Sequence, residues 1–162
     1  MEREKQPLGR RLRSATLVVL ALPFVLALVL PLALVAAILY FLHRLAVYLL
    51  VWALWLPKGK DVLVVLSESP IWHGYMSAEV VPLVRKRAVV LNWSERKKWS
   101  RWSFAAHVFR TFGGRRDFNP LVVVFRPLRR AEVLRFWQTF EDWKHGRTEP
   151  VERLKQRLLA TL

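Results

Sequence analysis

Apolar residues run almost without interruption from Ala15 to Pro57, with His43 and Arg44 as the only strongly polar side chains in the stretch. A spanning helix needs about 20 apolar residues, and this run is about twice that. It also exceeds the roughly 7–15-residue apolar region of a signal peptide, and no small polar cleavage region follows it. The pattern predicts a retained helical membrane anchor over 15–57. Two arrangements fit. In a hairpin folding at Leu30-Pro31, the arms are 16–29 and 31–56; Pro31 suits the first position of a helix, and Pro23 kinks the first arm. In the alternative, one span covers 16–42, His43 and Arg44 mark the interface, and Leu45 to Leu56 lie along it. The hairpin is preferred, because residues 1–14 carry Arg3, Lys5, Arg10, Arg11 and Arg13 and the far flank carries Lys58 and Lys60. Flanks rich in Lys and Arg stay in the cytoplasm, and a hairpin keeps both there. Tyr48, Trp52 and Trp55 suit an interfacial aromatic belt.

Beyond the anchor, residues 58–162 read as a basic soluble α/β domain. Three short continuous apolar runs, Asp61 to Leu66, Ala88 to Leu91 and Leu121 to Phe125, suit strands buried on both faces, as in parallel sheets. Helical spacing separates them. Met76 to Lys86 has Ser77 as N-cap; Ser100 to Phe112 is followed by Gly113 at the C-cap; Arg130 to Trp143 places Val133, Phe136, Trp137 and Phe140 on one face; Pro150 to Leu159 forms the last helix. The expected fold is therefore α/β: a transmembrane helical anchor followed by a small three-stranded parallel βαβαβα domain with a C-terminal helix.

Charge adds the next constraint. The chain has 162 residues, 27 Lys plus Arg against 12 Asp plus Glu, and no cysteine. The last point excludes a disulfide-stapled scaffold, a Cys-ligated metal centre and a Cys nucleophile. Between Arg85 and Arg130 lie 13 cations, with only Glu95 and Asp117 as acids. At about 1 kcal/mol per basic residue near an anionic leaflet, four facing cations would orient a tethered domain. Trp93, Trp99 and Trp102 interleave with Arg96, Lys97, Lys98 and Arg101, and Arg115 and Arg116 follow Gly114. Basic–aromatic interleaving suits an anionic lipid surface or single-stranded nucleic acid. The tether favours lipid, or an acidic protein at the same surface, over nucleic acid. The Trp residues also have a plain reading as core, with the charges as a solvated face.

Candidate chemistry collects at the expected carboxyl ends of the strands, where open α/β sheets bind ligands. Ser69-Pro70 can open a helix and, with Asn92 and Arg126, hold a phosphate or nucleotide. Against this, no phosphate-binding glycine motif occurs and Glu68 would repel an anion. Ser67, His73 and Glu95 can be drawn as a nucleophile, base and orienting carboxylate, although a nucleophile-elbow motif is absent. The four histidines have no metal-ligand spacing, so neither metal nor cofactor is expected. The preferred reading is a non-enzymatic, integral membrane interaction module whose basic domain faces the cytoplasm and rests on anionic headgroups or an acidic partner. A small membrane-bound nucleotide- or sugar-phosphate enzyme is the first alternative, and a nucleic-acid-binding membrane protein the second.

Overall fold

The computed structural model describes residues 8–114, 116 and 119–162, with side chains from Leu22 onward. Helix α1, Leu8–Leu54, is one helix of 47 residues with Pro23 and Pro31 inside it. The expected hairpin at Leu30-Pro31 is thus replaced by a single helix. No polar turn residue lies near Pro31, so a break there would leave several backbone groups unpaired, whereas a proline within an apolar helix forfeits one hydrogen bond. Over Leu22–Lys58 this segment is long and apolar enough to cross a membrane, by length and composition.

Contacts divide the chain into two units, 1–43 and 44–162. In the first, every side chain from Leu22 to His43 is exposed. The second begins at Arg44, because the last turns of α1 supply part of its core.

The second unit is built on a four-stranded sheet. Its strands are β1, Val62–Leu66; β2, Ala88–Asn92; β3, Leu121–Val124; and β4, Glu132–Arg135. The spatial order is β2-β1-β3-β4. Strands β1 and β2 are parallel, with Val62 opposite Ala88; β3 runs antiparallel to β1, with Val62 opposite Val124; β4 is antiparallel to β3, with Val122 opposite Leu134. The expected three parallel strands are therefore corrected to four in a mixed sheet. The apolar runs of β1 and β3 are buried on both faces although these strands are antiparallel, while β2, expected to be buried likewise, leaves Val90 exposed.

Alternation along the strands fills two cores. On one face lie Val62, Val64, Val122, Val124 and Leu134, covered by Met76, Val80, Val84, Phe140, Val151 and Leu158. The covering helices there are α2, His73–Tyr75; a π turn, Met76–Val80; α3, Val81–Val84; α5, Trp137–Lys144; and α6, Glu149–Thr161. On the other face lie Leu63, Val65, Leu91, Leu121, Val123 and Phe125. Helix α4, Phe104–Phe112, covers them with Val108, Phe109 and Phe112, and the end of α1 and the turn after it cover them with Val47, Val51 and Trp55.

Two helix expectations shift. The segment after β1 turns helical at His73, whose amide donates to Ser69 O at 3.0 Å, so Ser77 lies inside it rather than capping it. The expected helix over Arg130 to Trp143 is strand β4 followed by α5. Val133 and Phe136 belong to opposite faces of the sheet, so they never formed one helical stripe.

Candidate functional site

The parallel pair β1–β2 brings Ser67, Glu68, Asn92 and Ser94 together at its carboxyl end. Asn92 accepts from Ser94 N at 2.9 Å and donates to Glu68 Oε1 at 2.9 Å, while Glu68 N donates to Ser94 Oγ at 3.0 Å. Asn92 thereby caps a 3-10 helix, Trp93–Lys98. Ser67 is buried, and its hydroxyl oxygen accepts from Asn119 Nδ2 at 2.8 Å and from Trp72 Nε1 at 3.2 Å. Asn119 has no sequence signal of this role, since it comes from a loop 52 residues away.

Chemically, this cluster is a set of ties within the fold. His73 Nδ1 lies 3.2 Å from the Ser67 carbonyl oxygen rather than its hydroxyl, and Nε2 lies 3.5 Å from Ser77 Oγ. Glu95 pairs with Lys98 at 2.9 Å. The side chains of Ser67, His73 and Glu95 are thus bonded to other groups and do not form the drawn triad. Ser69 Oγ accepts from Ile71 N at 3.4 Å, a local turn contact. Arg126 lies at the other end of the sheet, because β3 is antiparallel to β1. Its guanidinium donates from Nε to Thr161 O at 2.6 Å and from Nη2 to Ala160 O at 3.2 Å, closing the end of α6. Ser69, Asn92 and Arg126 therefore do not converge.

The basic surface is more open. Arg96, Lys97, Lys98, Arg101 and Arg116 are exposed; Arg115 lies outside the described residues. Two of the three interleaved tryptophans are structural: Trp93 and Trp99 set their rings edge-on against Phe109 at 5.5 and 6.0 Å. Arg96 rests over the Trp93 ring at 5.1 Å. The hydrogen bond and charge of Glu95 raise the Lys98 pKa. Trp102 is different, 94% exposed beside Arg101.

A second exposed apolar side chain went unnoticed in the sequence. Leu128 is 92% exposed in the β3–β4 connection, with Arg129 and Arg130 exposed next to it. Comparison with protein-family models, curated proteins and solved structures gives no match for this chain.

Proposed function

We propose that this chain is a membrane-anchored interaction module that crosses the bilayer once and holds a basic α/β domain against anionic headgroups. The observation that carries the reading is the exposed apolar stretch from Leu22 to His43. The apolar sequence already begins at Ala15, so the run up to His43 exceeds the about 20 residues that a bilayer-spanning helix needs. An apolar surface of that extent calls for an apolar covering. From Val47 onward, one side of the helix, with Val47 and Val51, packs on the sheet, while Leu49, Leu50 and Leu54 stay exposed. The cations on the domain then lie within reach of lipid phosphates, with attraction of about 1 kcal/mol per facing residue.

A single crossing parts the two basic flanks that the hairpin kept together. The reading keeps the domain, with its 13 cations between Arg85 and Arg130, on the cytoplasmic side, where anionic lipid is concentrated, and exports the shorter N-terminal flank.

Alkaline carbonate extraction of membranes from expressing cells tests the anchor: the full chain stays in the pellet, and release to the supernatant overturns it. Trypsin added outside sealed, right-side-out vesicles spares the domain; its digestion there reverses the orientation. In reconstituted vesicles, tryptic cleavage over 85–130 is slower with phosphatidylglycerol present than with phosphatidylcholine alone. Equal rates remove the headgroup part of the reading.

A further inference from the structure

We propose that the β3–β4 turn is where this domain inserts into anionic lipid, with Leu128 as the immersed side chain and Arg129 and Arg130 on headgroup phosphates. The inference rests on the membrane-anchored reading and names the contact surface, which the interleaved Trp–Arg segment had suggested elsewhere.

Three observations converge on this turn. First, Leu128 occupies a left-handed conformation, φ 58°. Pro127 precedes it, and Arg129 N donates to Arg126 O at 3.3 Å, so Leu128 holds the third position of a tight turn, a place that favours Gly or Asn. A large apolar side chain therefore sits where the backbone disfavours it and water surrounds it. Lipid would relieve the second penalty. Second, its neighbours suit an anionic surface. Arg129 and Arg130 are exposed, whereas Arg126 is spent on α6 and Glu132 is held by Arg157 and Thr161.

Third, the turn is pinned to the end of the unit at which the chain arrives from residue 43. The Tyr48 hydroxyl donates to Arg126 O at 2.6 Å and also meets Arg129 O. Arg44, the first residue of the unit, lies over the Phe112 ring at 4.8 Å, and the loop that follows Phe112 carries exposed Arg116. Trp102 belongs to the other end. It precedes Phe104, whose ring meets Trp55 at 5.5 Å, and Trp55 is about 16 Å further along α1 than Arg44. Of the two most exposed apolar loop residues among the described residues, Leu128 is thus the one beside Arg44 and Tyr48, where the unit begins.

The natural absence of cysteine makes the test direct. Leu128→Cys, Trp102→Cys and Leu34→Cys are introduced singly into the full chain, labelled with an environment-sensitive fluorophore and reconstituted into vesicles with or without phosphatidylglycerol. At position 128 emission shifts to the blue and is quenched by shallow spin-labelled lipid when phosphatidylglycerol is present, and Arg129→Gln with Arg130→Gln reverses both. Position 102 stays in water and position 34 is quenched by deep labels. A water-exposed 128 with an immersed 34, or equal quenching at 128 and 102, overturns the inference while leaving the anchor standing. A water-exposed 34 removes both. Leu128→Gly, which suits the backbone angle, serves as a second variant: trypsin should cut after Arg129 and Arg130 severalfold faster than in the parent chain in anionic vesicles, and unchanged cleavage contradicts the proposal.

Discussion

Gly114 holds φ at +80°, and a Cβ there would lie 3.0 Å from Arg135 Nη2. That Arg135 side chain donates from Nη1 to Gly113 O at 2.6 Å and to Arg116 O at 3.0 Å, fastening the loop after α4 to β4. Gly114→Ala combines backbone strain with displacement of the guanidinium and should cost about 1–3 kcal/mol, read from chemical denaturation of the full chain in detergent. Tyr75 gives a prediction in pH. Its ring meets Phe140, and its hydroxyl donates to Glu152 Oε1 at 2.9 Å. Burial first, then the bond to Glu152 and its charge, push the Tyr75 pKa up from 10.0 to about 12. The protonated phenol is the form favoured by folding. Its contribution is complete below pH 10 and disappears as pH rises towards 12. A Tyr75→Phe chain should therefore lose less stability than the parent between those values, measured as the shift in melting temperature. The Glu152 carboxyl is held below its usual range, chiefly by its bond to Lys155, so its contribution is present at neutral pH and fades on acidification.

At the scale of elements, the end of α1 does for one sheet face what α4 alone leaves undone. Trp55 meets Phe104 at 5.5 Å and Phe125 at 6.2 Å, both edge-on. Trp55→Ala should cost about 3–5 kcal/mol by the usual cost of emptying an aromatic core site. A chain starting at Lys58 should show no cooperative thermal transition in near-UV circular dichroism, whereas one starting at Arg44 keeps it in detergent. In the sequence Tyr48, Trp52 and Trp55 suit an interfacial belt, because an apolar run gives no sign of which neighbour covers it. Strand β4 was hidden for another reason. Its hairpin turn carries Leu128 where a glycine would have announced it, and Val133, Phe136 and Phe140 mimic helical spacing. The strands β1, β2 and β3 were legible because four or five apolar residues in a row have little other use in so short a segment. Helix α4 was legible from its apolar stripe and from Gly113 at its end, and α6 falls close to the expected Pro150 to Leu159.

At the scale of the molecule, charge and apolar surface are segregated along the chain, and that much was readable from composition. The polar strand-edge cluster was legible in its members but not in its purpose, since Asn119 and Trp72 reach Ser67 only through the fold. Likewise the sequence does not show that Arg126 lies at the opposite end, because a run of apolar residues does not fix the direction of β3. If headgroup attraction orients the domain, raising salt from about 0.05 to about 0.5 M, which contracts screening from roughly 14 to 4 Å, should abolish the protection from trypsin that anionic vesicles confer. Protection that persists at high salt would place its cause in buried apolar contact instead.

Because Val47, Val51 and Trp55 are synthesised some seventy residues before Leu121 to Phe125, these three side chains have to wait for that part of the sheet. If α1 spans a bilayer as proposed, the hydrocarbon competes for those same three side chains throughout that wait. Each helical turn drawn inward would take one of them from the sheet, so the depth at which the helix settles and the completion of the fold become one equilibrium.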